Sequence, residues 1–305
     1  MSLDANSIKP AVNVLAHHGK SFRFAGRFLN KEQLQDCARL YRFCRFVDDL
    51  VDETPDRDIA RNNIAALKRD LELGHSSDPI IEDFINLASA YQMQSAVIME
   101  LIKGIESDLN PVIVADKSQL LRYCYRVAGT VGLLMCDVLG VSNKQARAHA
   151  IDLGIGMQLT NIARDVLEDA LRGRRYVPTE WVGKVSPQTL AKSGSKQSAA
   201  ISKAVQSLLG LADKYYESGQ QGLRFLPPRA RLGITIAARV YQEIGRVLEE
   251  KGFDIFAGRA YVSLPRKTLV ALRAISSRPA SQPYIPHAPE LHIRIADLPH
   301  AHASA

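Results

Sequence analysis

Nearly every long stretch of this chain repeats its apolar residues at three- and four-residue steps, a period that commits it to helices. In Glu32–Glu53 the steps run Leu34, Ala38, Tyr41, Cys44, Val47 and Val51, and Thr54-Pro55 closes the segment. The same period predicts helices over Ile59–Leu73, Ile80–Ala90, Ser95–Ser107, Lys117–Leu139, Asn143–Leu171, Gln197–Gly222, Pro228–Gly252 and Arg266–Ser276. Breaks fall at Gly74, Asn110-Pro111, Gly140, Gly173, Pro178, Pro187, Pro227-Pro228 and Pro265. No segment alternates as a strand does, and no fixed-period repeat is present. Residues 1–276 therefore read as one all-α domain. Ser277–Ala305 loses the period, carries five prolines, and reads as a mobile tail. Its His287, His292, His300 and His302 show no metal-ligand spacing and read as scattered surface residues.

Two of the predicted helices carry the same polar stripe. Tyr41, Arg45, Asp48 and Asp52 stand at offsets 0, 4, 7 and 11, one narrow line up a helix roughly 16 Å long. Gln158, Asn161, Asp165 and Asp169 stand at 0, 3, 7 and 11 and end in the same aspartate pair four apart. One such pair alone is more often a solvated acidic face. Two pairs, each flanked by packing residues such as Leu159, Ile162 and Val166, fit helices that face each other across a bundle. Buried carboxylates so placed need a compensating cation. Hard oxygen donors of this kind suit Mg²⁺ shared with phosphate oxygens, for which Arg45 offers a permanent counter-charge.

Composition narrows the setting. A net charge of +7 favours anionic partners, although a merely basic surface would look the same. The basic residues neither interleave with aromatics nor form a recognition helix, so no specific nucleic-acid binding is expected. Cys37, Cys44, Cys124 and Cys136 lack metal-ligand spacing and read as buried free thiols of a reducing compartment. The N-terminal residues lack a signal-peptide layout, and the longest apolar run, Val127–Cys136, is too short to span a bilayer. The expectation is a cytoplasmic protein resting peripherally on the inner membrane, with no protein partner indicated.

Several longer motifs, in order, carry a resemblance. They are Ser21-Phe22, Tyr41-Arg42-Phe43-Cys44-Arg45 leading into Asp48 and Asp52, and Tyr123-Cys124-Tyr125-Arg126-Val127-Ala128-Gly129-Thr130-Val131-Gly132. Gln158-Leu159-Thr160-Asn161-Ile162-Ala163-Arg164-Asp165 and Gly173-Arg174-Arg175-Tyr176-Val177-Pro178 come after them. With these the chain, up to about Ser276, resembles the squalene/phytoene synthase family. The resemblance implies an isoprenoid synthase type helical bundle with a central cavity. It implies Mg²⁺, or Mn²⁺ in its place, on Asp48, Asp52, Asn161, Asp165 and Asp169, with prenyl diphosphates as substrates. It also implies diphosphate contacts from His18, Lys20, Tyr41, Arg45, Tyr241, Arg259 and Lys267, and substrate contacts from Ser21 and Gln158. Phe22, Val127, Val131 and Leu134 become candidates for the wall of a lipid-chain groove. The bare backbone around Ala128, Gly129 and Gly132 fits such a groove, and fits close helix packing equally well.

The implied reaction joins two geranylgeranyl diphosphates head to head, through a cyclopropylcarbinyl diphosphate, to phytoene. Tyr41, Tyr123 and Tyr241 stand as cation stabilisers or as helpers in proton removal. Gly154-Ile155-Gly156 is no complete dinucleotide fingerprint, so NADPH is not expected. Gly26 and Ala38, by family alignment near the deep end of the pocket, favour C20 over C15 substrates. The alternatives are a C15-specific dehydrosqualene or squalene synthase, a head-to-tail elongase suggested by Asp48-Asp49-Leu50-Val51-Asp52, and a non-catalytic assembly factor of the same family.

Overall fold

The computed structural model describes residues 24–141, 143–192, 198–276 and 283–302. His18, Lys20, Ser21 and Phe22 lie outside them. The longer helices, labelled in chain order, are α1 (Lys31–Asp52), α2 (Arg57–Leu73), α3 (Pro79–Ala90), α4 (Ser95–Glu106), α5 (Lys117–Cys124), α6 (Thr130–Val138), α7 (Gln145–Leu171), α8 (Ser198–Gly222), α9 (Pro228–Glu250) and α10 (Leu264–Ser276). Among the described residues the only extended pairing is an isolated bridge between Ile113 and Arg175. Helix ends follow local chemistry. The Asn30, Asp56 and Asp78 side chains accept from free N–H groups at the starts of α1, α2 and α3, and Gly74 ends α2 at φ +69°. No helix among the described residues is long and apolar enough to cross a membrane.

Helix α7 is the axis of the bundle, with α6 packed on one side and α8 on another. Both neighbours come close because glycines face the contact. A methyl group on Gly132 would overlap the Ala150 carbonyl oxygen, and one on Gly154 would overlap the Ala128 carbonyl oxygen. On the other side a methyl on Gly219 would sit 2.9 Å from Leu153, and one on Gly222 would overlap His149. The small face around Ala128, Gly129 and Gly132 is therefore helix packing, which corrects its expected use as a lipid-chain groove. Leu134 is likewise fully buried in the core, and Val131 packs partly buried against it.

The expected single helix Lys117–Leu139 is interrupted by a π-helical turn, Tyr125–Gly129. The extra residue of such a turn rotates α5 relative to α6 about the shared axis. Helix α1 is held from behind by charge: Arg39 bonds Asp36 at 3.0 Å and Asp83 at 2.9 Å, and Arg42 bonds Asp83 at 2.6 Å. Phe43 stacks on Phe84 beside this network, with ring centroids 3.5 Å apart. All four cysteines are free, and burial pushes the Cys37 thiol up to about 12.

Residues 283–302 are not the mobile tail expected from the proline content. Ile295 and Ala301 are fully buried and Leu298 nearly so. The N–H groups of Ile295, Ala301 and Leu298 bond the carbonyls of His292, Leu298 and Ile295 respectively, each three residues back. Arg122 clamps Asp297 at 2.6 and 2.9 Å, and Tyr215 donates to the Leu291 carbonyl at 2.8 Å. His292 is correspondingly buried and His287 mostly covered, rather than scattered on the surface.

The glycine contacts give a stability test. Gly132→Ala and Gly154→Ala should each cost about 3 kcal/mol or more, because two helix backbones must separate. Gly210→Ala, on the open face of α8 with nothing within 4 Å, should instead stabilise by up to about 1 kcal/mol. Guanidinium unfolding of the three variants checks both directions.

Candidate active site

The two polar stripes meet across a cavity of ≈ 260 Å³. Arg45, Asp48 and Asp52 reach it from α1, and Gln158, Asn161, Asp165 and Asp169 from α7. Tyr123 of α5 and Val127 of the π turn complete the expected residues that line it. Of the others, Arg259 reaches the site through Asp165 at 3.1 Å and Glu168 at 3.3 Å. Tyr41 lies near enough to Tyr241, Arg45 and Asp48 for their charges to act on its hydroxyl, which burial pushes up to about 12. Tyr41, Tyr241, Val131 and Lys267 do not line the cavity itself.

The walls also contain residues that the stripes did not reveal. Asp108 enters from a 3₁₀ turn after α4, and Arg172, Arg174 and Tyr176 from the chain leaving α7. Extended backbone sends successive side chains to opposite sides. Arg174 and Tyr176 thus face the cavity, while Arg175 turns into the protein, 1% exposed, and bonds the Gly183 carbonyl at 2.9 Å. Backbone bonds from Arg175 N–H to Val112 and from Val114 N–H to Arg175 fix that register. These residues sit inside one of the longer sequence motifs, but nothing in their spacing separates cavity from core.

Five carboxylates and four guanidinium groups share this space. Arg172 and Arg174 bond the two oxygens of Asp52 at 2.9 and 2.7 Å, and Arg164 bonds Asp165 at 2.7 Å. Arg45 pairs with Asp49 on its own helix. Asp48 and Asp169 have no salt-bridge partner among the described residues. Burial, with the neighbouring Asp52 and Asp108 adding repulsion, pushes Asp48 up to about 7. Burial and then Asp165 do the same for Asp169, also to about 7. Asp108 is pushed up by burial to about 6, although it accepts from Tyr176 at 2.7 Å and Tyr123 at 2.9 Å. The two tyrosine rings stack at 4.5 Å and stay protonated, because burial holds both far above the ordinary phenol range. Asn161 Oδ1 is buried without a hydrogen-bond partner. Crowded carboxylates beside an unused amide oxygen form a hard-oxygen donor set that fits a divalent cation of the Mg²⁺ kind.

These raised values fix a pH dependence. A carboxyl whose pKa is higher in the folded state favours folding at low pH and opposes it as pH climbs from about 4 to about 7. Asp169→Asn should therefore stabilise the metal-free protein at pH 8 by about 1–2 kcal/mol, allowing for water in the cavity. The gain should vanish below about pH 4. Urea titrations of both proteins at several pH values measure it.

Comparison with known proteins agrees with this architecture. The profile of the squalene/phytoene synthase family matches residues 15–266. The chain is 32% identical to a 15-cis-phytoene synthase of Enterobacter agglomerans, over 92% of this chain and 97% of that protein. It is also 32% identical to a phytoene synthase of Rhodobacter capsulatus, over 90% and 82%. Among solved structures, a dehydrosqualene synthase superposes with a TM-score of 0.77 at 27% identity, over 89% of this chain and 96% of that one. A squalene synthase of Alicyclobacillus acidocaldarius shares the fold, with a TM-score of 0.69 at 18% identity over 82% and 97%. This chain belongs to the squalene/phytoene synthase family, a family of prenyl-transferring enzymes with the all-α isoprenoid synthase fold.

Proposed function

We propose that this protein condenses two geranylgeranyl diphosphates head to head and releases phytoene. The observation that carries the reading is the pair of aspartate stripes converging on one cavity that also holds four arginines. Relatives named phytoene synthases, at about a third identity over most of both chains, support the C20 assignment. The structural neighbour named a dehydrosqualene synthase keeps a C15 substrate as the second reading. Pocket depth does not argue for C20. Ala38 is fully buried, and the room beside Gly26 is filled by Leu34, 2.8 Å from where a methyl would stand.

On this reading Asp48 and Asp52 hold Mg²⁺ at one diphosphate, and Asn161, Asp165 and Asp169 at the other, with Mn²⁺ as a substitute. The ions supply charge that neutralises a departing diphosphate. Arg172, Arg174 and Arg164, which bond Asp52 and Asp165 here, would be available to phosphate oxygens if those carboxylates held metal. In the first half-reaction one substrate loses diphosphate, and the double bond of the second attacks the allylic cation. Loss of a proton then closes the cyclopropyl ring. In the second half the remaining diphosphate leaves, the skeleton rearranges to the 1-1′ bond, and a proton is lost. NADPH has no part in this outcome. The stacked faces of Tyr123 and Tyr176 are suited to the cationic stages, and Asp108 holds both hydroxyls in place. A basic surface against anionic lipid would bring the enzyme to its greasy substrates.

The test is a product assay with Mg²⁺ and either geranylgeranyl or farnesyl diphosphate, with and without NADPH, read by mass spectrometry. Phytoene from the C20 substrate without NADPH is expected. A C30 product alone would replace the chain length, and no hydrocarbon from folded protein would remove the enzymatic reading. Asp52→Asn and Asp169→Asn should each lower kcat by about 100-fold or more. Asp108→Asn, which leaves the metal ligands intact, should lower it by about 10- to 100-fold.

A further inference from the structure

A second set of ligating side chains converges on the far part of α7. Asp152 is fully buried there, and the C-terminal segment brings two imidazoles to its carboxylate. His292 Nε2 lies 2.8 Å from Asp152 Oδ1, and His287 Nε2 lies 3.0 Å from Oδ2. The three ligand atoms all fall within 4.8 Å of one another. His292 is hydrogen-bonded to Asp152, whereas His287 Nε2 is buried and makes no aligned hydrogen bond, which leaves a ligating nitrogen unused beside the carboxylate. Asp152 is also oriented by Ser218 Oγ, and His149 stands behind His287 with ring centroids 5.7 Å apart. His149 itself is committed to Ser218 and Tyr284 at 3.2 and 3.1 Å.

We infer that Asp152, His287 and His292 form a structural site for a transition-metal ion of the Zn²⁺ class, fastening the C-terminal segment to α7. Two imidazole nitrogens and one carboxylate oxygen make a borderline donor set that suits Zn²⁺ and discriminates against Mg²⁺. The four residues between the histidines are a spacing that zinc sites use, which corrects the sequence reading of scattered histidines, while the third ligand comes from 140 residues before His292. Ser218 on the carboxylate is the kind of outer hydrogen bond that orients a metal ligand. His287 keeps 12% of its side chain exposed, which gives an ion and a coordinating water a way in.

The experiment uses tag-free full-length protein, stripped with chelator and back-titrated with Zn²⁺ or Co²⁺. Metal content is measured by mass spectrometry, together with visible Co²⁺ absorption and thermal melting. The panel is the wild type, Asp52→Asn/Asp169→Asn to disable the cavity, His287→Gln, and His287→Gln/His292→Gln. Wild type and cavity variant should each retain about one Zn²⁺ per chain and melt several degrees higher with it. Both histidine variants should bind Zn²⁺ at least about tenfold more weakly, lose the Co²⁺ bands, and show no such shift. The partly exposed position of His287 makes the single variant the one to retain the fold, confirmed by circular dichroism. Equal zinc binding in wild type and folded His287→Gln, or none in the wild type, would overturn the site and leave a hydrogen-bonded clasp.

Discussion

Carboxylate repulsion inside one small cavity is the constraint around which this bundle is organised. Asp48, Asp52, Asp108, Asp165 and Asp169 face a common space, and at least three of them are pushed well above the ordinary carboxylate range. Left to itself such a cluster would spread its helices apart. It holds because the supporting structure is stiff elsewhere. Behind α1 the buried Asp36, Arg39, Arg42 and Asp83 network fixes the rotation of the helix, so its stripe stays aimed inward. Buried ion pairs of this kind contribute little net stability, but they specify one arrangement over its neighbours. Opposite, glycine contacts lock α7 between α6 and α8 at a separation that no larger residue allows.

The arginines explain how the same cavity tolerates its charge before any substrate arrives. Asp52 is gripped by Arg172 and Arg174, and Asp165 by Arg164 and Arg259. Asp48 and Asp169 have no salt-bridge partner among the described residues, and burial outweighs the nearby arginines to push both up. Under the proposed function the guanidinium groups and a metal ion would be alternative partners for the same oxygens. Cation uptake by these carboxylates would then leave the arginines available to anionic ligands.

Helical period made much of the molecule legible in the sequence. The C-terminal ends of α2 and α7, the inward stripes of α1 and α7, and the free cysteines can all be read from spacing. Asp108 cannot, because it sits in a three-residue 3₁₀ turn where no stripe defines a face. Arg174 and Tyr176 lie on extended chain after Gly173, where alternation and not a 3.6-residue period decides which side chains face the cavity. The groove expected at Gly129 and Gly132 fails for a different reason. A bare backbone face invites any close neighbour, and here the neighbour is α7. The C-terminal segment escapes a helical reading because Ile295, Leu298 and Ala301 recur every three residues, the period of 3₁₀ turns, between prolines that suggest disorder.

That segment matters to the site because of which helix it grips. Asp152 and the stripe from Gln158 to Asp169 lie on one continuous helix, α7. The segment also accepts a hydrogen bond from Tyr125 of the π turn at the Pro299 carbonyl, and its Asp297 holds Arg122 of α5. It thus touches both elements that carry cavity residues on that side, with Val127 two positions after Tyr125 and Tyr123 one after Arg122. A chain end that looks dispensable by composition is in this fold a brace on the back of α5 and α7. Loosening it would act on the cavity through the rotation of those helices, without removing any group that touches substrate.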